Sequence, residues 1–312
     1  MTLKSIKGYF LAAIAAAAYG TNPAFAVPLY NEGMNPNTVL LFRYVLGIPL
    51  LALLMICRRI PFRLEKKAIG QTAMLGILMA ISSLTLFESY KYMNSGIAST
   101  LLFVYPVMVA VIMMFFFKEK NGPSLYICLA VMFVGLFLLV KPSEGMKLSP
   151  FGCVLVMLSA LTYALYIVFV NVSKQLKSIP TTKLLFYVLI WGSALFAVNI
   201  LFGNPFTPPK SGLDWVNLSA LAVIPTLLSL ACTTAAIQII GSTPTAILGS
   251  LEPVSAVLLS VFFLKQEITT IEIIGGCLIV VATLIVINDK NIDKTILSVR
   301  KMFPLHHHHK KL

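Results

Sequence analysis

The chain has 312 residues, of which 58% are hydrophobic and only 11% are charged, and its formal net charge is +13. Soluble globular proteins carry roughly 25% charged residues, so this chain has too little charge to cover a water-facing surface. The composition indicates an integral membrane protein. In such a protein a basic excess is first a signal of membrane topology, and the sequence predicts no nucleic-acid partner.

Ten apolar stretches are long enough to be membrane spans, because a spanning helix needs about 20 mostly apolar residues. The longest connection, around Gly203–Asp214, is too short to form a domain, so we expect no soluble catalytic domain. In chain order the predicted spans are 6–28, 37–57, 68–90, 96–117, 123–141, 150–172, 182–203, 215–239, 243–264 and 269–288.

The distribution of Lys and Arg predicts the orientation. If the N-terminus is inside, most of the 24 basic residues lie on the same side, with the largest groups at 58–67 and after residue 290. The positive-inside rule therefore predicts a multi-pass protein of the plasma (cytoplasmic, inner) membrane with both termini in the cytoplasm. This orientation requires an even number of spans, and the basic groups can also contact anionic lipid.

The two halves of the sequence resemble each other. At an offset of 147 positions, residues 96–140 align with residues 243–287 without a gap. A repeat of five spans is odd-numbered, so its second copy must enter the membrane from the opposite side. The sequence predicts an inverted repeat, which in secondary transporters places the substrate site near the midplane, between the halves. Matched positions include Pro106 with Pro253 and, at an offset of 144, Tyr19 with Tyr163.

Two motifs, in the predicted fourth and ninth spans, carry a family resemblance. They are Ser99–Pro106 (STLLFVYP) and Ala246–Pro253 (AILGSLEP), and each leads into an apolar stretch that ends in a charged turn. Each is followed by a glycine-containing span, and the second span contains Arg43. Over residues 6–288 the chain resembles the EamA-type members of the drug/metabolite transporter superfamily.

The resemblance implies an all-α integral membrane protein with ten transmembrane helices in two inverted five-helix repeats around a central cavity. In such proteins the first, third, fourth, sixth, eighth and ninth helices typically line the cavity, and the fifth and tenth lie at the periphery. Members move amino acids, amines, nucleotide precursors, drugs and other metabolites. The resemblance therefore implies a transporter without naming its substrate.

Charged side chains within a bilayer are costly, which makes them candidate functional residues. Glu252 precedes Pro253, which removes a backbone donor and exposes carbonyls, so its carboxylate could hold a substrate or a proton; a structural Glu-Pro pair is the alternative. Glu88 lies three residues before Lys91, and it either faces the cavity or pairs with that lysine near the surface. Arg43 either anchors an anionic group or bonds helix-end carbonyls.

Tyrosines and helix breaks complete the candidate site. Tyrosines in a cavity can stack on rings or hold ammonium groups by cation–π attraction, whereas those at span ends can form an interfacial belt. Asn22-Pro23 interrupts the first span, and Pro225 and Pro244 mark the eighth and ninth spans as hinges or simple kinks. The predicted substrate-binding residues are Glu88, Glu252, Tyr19, Asn22, Tyr105, Tyr163, Tyr166 and Arg43.

The sequence gives no sign of an enzyme. It contains no phosphate-binding loop of the type G-x-x-x-x-G-K-[ST], so ATP is not the predicted energy source. All four histidines are in His306–His309 and no C-x-x-C pair occurs, so no span offers a set of metal ligands. We therefore predict no catalytic residues, no metal and no cofactor.

These features predict a secondary-active transporter, an exporter or exchanger, that moves a small metabolite such as an amino acid or amine by alternating access. Its partners are the substrate, membrane lipid and either protons or a counter-substrate; the oligomeric state does not follow. The alternatives are transport of neutral or aromatic solutes, a non-transporting membrane sensor or scaffold, and a lipid-modifying membrane enzyme. The predicted domains are residues 1–145 and 146–288 as two repeats, and 289–312 as a basic cytoplasmic tail.

Overall fold

The computed structural model describes residues 3–93, 95–119, 122–139, 149–203, 205–264 and 269–288. Within these residues all regular secondary structure is helical. The predicted basic tail, 289–312, and the charged turn after the ninth span, 265–267, lie outside the described residues.

The first half of the chain contains seven described helices. The second, third and fifth predicted spans each correspond to one helix, whereas the first and the fourth are each divided into two. The helices are α1 (Leu3–Tyr19), α2 (Asn22–Asn31), α3 (Pro36–Cys57), α4 (Lys66–Ser89), α5 (Ser95–Leu102), α6 (Tyr105–Phe117) and α7 (Pro123–Leu139).

The second half follows the same plan, with a short additional helix, α9, between its first two spans. A π-helix, Ala222–Leu228, interrupts the eighth predicted span between α11 and α12, and the ninth span is divided into α13 and α14. The helices are α8 (Pro150–Val172), α9 (Lys174–Ser178), α10 (Thr181–Leu201), α11 (Gly212–Leu221), α12 (Ser229–Ile240), α13 (Ser242–Leu248), α14 (Leu251–Leu264) and α15 (Thr270–Ile287).

The described helical segments coincide with the ten predicted spans, and eight of them are long and apolar enough to cross a membrane. The fifth segment, α7, is apolar and has 17 described residues, and the two parts of the ninth, α13 and α14, have 7 and 14. The protein is thus a multi-pass helical membrane protein, and the count of ten crossings stays a prediction.

Local hydrogen bonds explain where helices begin. The Ser211 hydroxyl accepts a hydrogen bond from the Asp214 backbone N–H, and the Asp214 carboxylate accepts one from the Ser211 backbone N–H. This reciprocal capping box satisfies donors that a helix start leaves free. As a result α11 begins at Gly212, and the predicted start of the eighth span at residue 215 is wrong by three residues.

In addition to the eighth span with its π-helix, three described spans are broken, and each break lies beside a proline. The first is broken between Tyr19 and Asn22, the fourth just before Pro106, and the ninth just before Pro253. Proline has no backbone N–H, so the carbonyl four residues earlier loses its helical donor. In the ninth span that carbonyl belongs to Gly249, and it accepts instead from the Glu252 N–H at 3.0 Å.

Pro244 and Pro225, both predicted as hinge markers, have different roles. Pro244 lies in the first turn of α13, where a missing donor is tolerated, so it does not break the ninth span. Pro225 lies inside the π-helix of the eighth span, a wider helical turn that is frequent at functional sites.

Helices α7 and α15 pack against each other along their length. An ideal Cβ on Gly135 would lie 2.8 Å from the Gly275 carbonyl oxygen, and the Cys128 thiol donates to the Ala282 carbonyl oxygen at 3.1 Å. Residue numbers therefore rise in one helix as they fall in the other, so the two helices are antiparallel. Small residues at the crossing allow this close approach.

Helices α3 and α10 also pack against each other and are antiparallel. The Asn199 side chain donates to the Asn37 side-chain oxygen at 2.7 Å, whereas Gly192, earlier in α10, lies against the ring of Tyr44, later in α3. Both pairs, α3 with α10 and α7 with α15, join spans that correspond in the predicted five-span repeat.

Two hydrogen bonds between helices occupy matching positions in the halves. The Ser82 hydroxyl donates to the Ser159 carbonyl oxygen at 3.1 Å, joining α4 to α8. The Ser229 hydroxyl donates to the Ala15 carbonyl oxygen at 2.9 Å, joining α12 to α1. Ser82 and Ser229 are 147 positions apart, and Ala15 and Ser159 are 144 apart, which are the two offsets of the sequence repeat.

Candidate functional site

A small cavity lies where α1, α6, α8, α12, α13 and α14 meet. Its volume of about 20 Å³ is room for roughly one water molecule. The first, fourth, sixth, eighth and ninth predicted spans all contribute to its lining, as the family resemblance implies, whereas the third, α4, does not. Its lining consists of Ala12, Ala15, Ala16, Tyr19, Tyr105, Tyr163, Ile167, Ser229, Thr233, Thr245, Gly249 and Glu252.

Tyrosines form one side of the cavity. The rings of Tyr105 and Tyr163 meet edge to face with centroids 4.9 Å apart, and the Tyr105 hydroxyl donates to the Ala246 carbonyl oxygen at 3.1 Å. Tyr166 does not line the cavity. It stacks behind Tyr163 at 6.3 Å, and its hydroxyl lies 3.2 Å from that of Thr234, so it supports Tyr163 in position.

Among the described residues that line this cavity, Glu252 is the only one with a carboxylate. Within the described part of the chain, its carboxylate forms no ion pair and no hydrogen bond, and the cation that acts on it from a distance is Arg43. An unpaired carboxylate inside a membrane protein is costly, and the same cost makes it a strong site for a cation. The helix break before Pro253 places it at the cavity, near the middle of the ninth span.

Arg43 lies outside the cavity lining and is 2% exposed. Its Nη1 donates to the Asn22 side-chain oxygen at 3.0 Å, its Nη2 donates to the Pro225 carbonyl oxygen at 3.2 Å, and its Nε donates to the Thr226 hydroxyl. The guanidinium also lies 5.8 Å from the centroid of the ring of Tyr19, which lines the cavity. Arg43 and Asn22 thus form a polar cluster next to Tyr19, and the charge of Arg43 acts on Glu252.

Glu88 is not brought to the cavity. Its carboxylate forms an ion pair with Lys91 at 2.6 Å, at the end of α4, where the two side chains are 24% and 46% exposed. This arrangement matches the surface-pair alternative for these two residues.

The repeat brings equivalent residues together at the cavity. Tyr19 and Tyr163 correspond at the offset of 144, Tyr105 and Glu252 correspond at the offset of 147, and all four line it. The cavity is therefore built from matching positions of both halves, with a tyrosine in one half replaced by a carboxylate in the other.

Sequence reasoning missed the small and hydroxyl residues of the cavity, Ser229, Thr233, Thr245 and Gly249. Such residues are common in membrane helices, so no pattern distinguishes them. It also missed Thr226, although the nearby Pro225 was a signal, because a proline within a span needs a partner for the backbone group it disrupts.

The EamA-like transporter family model matches the chain twice, at residues 6–141 and 150–288. The chain belongs to the EamA-like transporter family. This confirms the resemblance seen in the motifs of the fourth and ninth spans.

Curated relatives of this EamA-like transporter are named as uncharacterized transporters. One from Archaeoglobus fulgidus is 26% identical over 273 residues, 87% of this chain and 93% of the relative. One from Bacillus subtilis is 24% identical over 78% of this chain and 79% of the relative. One from Synechocystis sp. is 26% identical over 65% of this chain, and the match spans 62% of that protein's length.

A protein of known crystal structure shares the fold of this EamA-like transporter. The comparison covers 93% of this chain and 98% of that chain with a TM-score of 0.79, at 15% sequence identity. At this identity the likeness concerns the fold alone.

Proposed function

We propose that this EamA-like transporter is a secondary-active transporter, an exporter or exchanger, of a small metabolite with an ammonium group, either an amine or an amino acid. Glu252 binds that group, and Tyr19, Tyr105 and Tyr163 surround it. The observation that carries the proposal is the Glu252 carboxylate, which forms no ion pair or hydrogen bond with the described residues and lies among three tyrosines in a cavity between the halves.

The chemistry of the cavity favours a cation. A carboxylate in a low-dielectric site attracts positive charge strongly, and the faces of aromatic rings add cation–π attraction. The hydroxyls of Ser229, Thr233 and Thr245 supply neutral hydrogen-bonding groups around the same space. Such groups can orient a polar substrate without competing with Glu252 for its charge.

The cavity must enlarge to admit a substrate, because about 20 Å³ holds roughly one water. Alternating access supplies that movement in proteins built from inverted repeats. Antiparallel packing of the equivalent spans, α3 with α10 and α7 with α15, supports such a repeat. So do the matching serine hydrogen bonds and the two family matches, which fall within the proposed domains 1–145 and 146–288.

Energy coupling can use the same carboxylate. One carboxylate can hold a proton or an ammonium group but not both, so Glu252 suffices to exchange a proton or a second cationic substrate for the first. Placement in the plasma membrane with both termini cytoplasmic rests on the Lys and Arg distribution.

A neutral or aromatic solute is the second candidate substrate. The edge-to-face pair of Tyr105 and Tyr163, which both line the cavity, favours it, because a planar ligand could pack against these rings. In that case the ligand would bind without using the charge of Glu252.

Ligand-dependent melting of the purified protein separates these proposals. The panel contains amines, amino acids, sugars, nucleosides and neutral aromatic solutes, and a ligand at 100 times its Kd stabilises the folded state by about 2.7 kcal/mol. We expect amines or amino acids to raise the melting temperature of the wild type and of Glu88→Gln, but not of Glu252→Gln. Glu88→Gln is the matched control, since it makes the same change outside the cavity.

The other outcomes each point elsewhere. Neutral aromatic solutes that stabilise all three proteins would replace the amine proposal with the second candidate. Absence of stabilisation together with absence of flux in liposomes would favour a sensor or scaffold, and chemical conversion of a panel compound would indicate an enzyme.

A further inference from the structure

Arg43 joins two irregular segments that are far apart in the sequence. One is the break of the first span, where Asn22 accepts from Nη1 at 3.0 Å. The other is the π-helix of the eighth span, where the Pro225 carbonyl oxygen accepts from Nη2 at 3.2 Å and the Thr226 hydroxyl accepts from Nε. Three nitrogens of one rigid side chain on α3 are thus committed to both segments.

The π-helix provides two hydrogen-bond acceptors for this guanidinium, the Pro225 carbonyl oxygen and the Thr226 hydroxyl. Because Pro225 has no N–H, the Leu221 carbonyl loses its usual donor, and the Thr226 hydroxyl donates to it at 2.7 Å. The oxygen of the same hydroxyl accepts from Arg43. Thr226 is fully buried, so the bonds of Arg43 and the local distortion of the helix support each other.

Both connected segments adjoin the cavity. Tyr19 lines it and is the last residue of α1 before the break, whereas Ser229 lines it and is the first residue of α12 after the π-helix. Movement at either irregular segment therefore moves a part of the cavity lining. Arg43 holds these two parts in one relative position.

This arrangement has no counterpart in the other half of the repeat. At the offsets of 147 and 144, Thr226 corresponds to Met79, and Asn22 corresponds to Tyr166. Met79 offers no hydroxyl, and the Tyr166 hydroxyl is engaged with Thr234. The cluster is therefore asymmetric with respect to the repeat.

We propose that Arg43 is a positioning residue that couples the hinge of the first span to the hinge of the eighth and stabilises the conformation described here against the opposite one. The hydrogen bonds of Arg43 with Asn22, Pro225 and Thr226 would break and re-form in each transport cycle, and this part of the proposal rests on the proposed alternating access. The coupling itself can be measured without a substrate, so its failure and that of the amine proposal are distinguishable.

Hydrogen–deuterium exchange of the full-length protein in detergent tests the coupling. The readout compares the two hinge segments, residues 15–31 and 219–234, with α7 and α15 as internal reference. A hydrogen bond to a charged group contributes about 1.5–3 kcal/mol, so we expect Arg43→Gln to raise the exchange rate of both hinge segments by about tenfold or more. The reference helices should not change.

Two conservative variants make the test specific. Arg43→Lys keeps the charge, but its single nitrogen cannot replace three separate donors, so it should behave like Arg43→Gln. Thr226→Val should accelerate exchange at residues 15–31 as well as at residues 219–234, because it removes the hydroxyl that accepts a hydrogen bond from Arg43. Ser82→Ala is the control, since it removes a buried hydrogen bond between α4 and α8 and should leave both hinges and the reference helices unchanged.

Wild-type exchange in Arg43→Lys would overturn the proposal, because charge alone would then suffice. A Thr226→Val effect confined to residues 219–234 would also overturn it, since the two hinges would be uncoupled. If Arg43→Gln fails to fold, Thr226→Val and Asn22→Ala still decide, because each leaves Arg43 in place and probes the opposite hinge.

Discussion

The hydroxyl group of Tyr105 occupies the space that a side chain at Gly249 would need, since an ideal Cβ on Gly249 would overlap it. Tyr105 begins α6 after the break of the fourth span, and Gly249 lies in the break of the ninth. The two halves of the repeat therefore interlock beside the cavity. Gly249 has helical dihedral angles, so glycine is needed here for space and not for a left-handed backbone.

Gly249→Ala should displace the Tyr105 hydroxyl and break its bond to the Ala246 carbonyl. Overpacking of this kind typically destabilises by about 1–3 kcal/mol, which thermal or denaturant unfolding in detergent would measure. Adding Tyr105→Phe to Gly249→Ala should recover part of the loss, because it removes the overlapping oxygen. Equal stability of Gly249→Ala and the wild type would contradict the proposed interlock.

Glu88→Gln should have little effect on stability. Its ion pair with Lys91 is partly exposed, and such pairs contribute about 0–1 kcal/mol. We expect the unfolding midpoint to change little and to respond weakly to salt. A loss of several kcal/mol would show that Glu88 has a role beyond this pair.

Gly135→Ala should separate α7 from α15, because the added methyl group would lie 2.8 Å from the Gly275 carbonyl oxygen and would meet backbone that cannot move aside. The expected cost is again about 1–3 kcal/mol in unfolding free energy. Gly70→Ala is the matched control, since nothing lies within 4 Å of the added methyl group. It should be neutral or stabilise α4 by up to about 1 kcal/mol.

Ser82→Ala and Ser229→Ala should each weaken one of the two equivalent helix pairs. Hydrogen bonds between membrane helices contribute about 0.6 kcal/mol on average and up to about 1.7 kcal/mol. We expect the two effects on unfolding free energy to add in the double variant, because the bonds join different helix pairs. Ser82→Ala and Ser159→Ala should not add fully, because their hydroxyl oxygens lie 3.2 Å apart and each substitution removes that shared contact; full additivity in this second cycle would show that only the separate bonds to the backbone carbonyls contribute.

Much of the architecture could be predicted from the sequence because it depends on local properties. The helical segments follow the predicted spans closely, since the hydropathy of about 20 successive residues is enough to predict a span. The motifs before Pro106 and Pro253 predicted the family, which is confirmed. The positions of prolines indicated interrupted helices, but not whether the result would be a break, a π-helix or, as at Pro244, an ordinary first turn.

The candidate site could be predicted only in part. Glu252, Tyr19, Tyr105 and Tyr163 were all predicted to bind substrate, and they line one cavity; that they bind substrate stays a prediction. Glu88 and Arg43 carry the same kind of charge signal but have other surroundings. A charged side chain within a membrane span is costly unless a partner stabilises it. The sequence shows the charge, but it does not show whether the partner is a substrate, a lysine or a set of backbone carbonyls.

The sequence by itself determined that the chain lies in a membrane, where its apolar spans run, and that its halves resemble each other. Hydropathy can be averaged over successive residues, and the resemblance can be found by aligning the halves, so neither needs the contacts between helices. Only the tertiary structure decided that Arg43 reaches Thr226, 183 positions away, or that Tyr105 fits against Gly249. These contacts depend on how closely and at what angle the helices approach. That approach depends on the exact positions of small residues on each helix face, which an apolar sequence does not reveal.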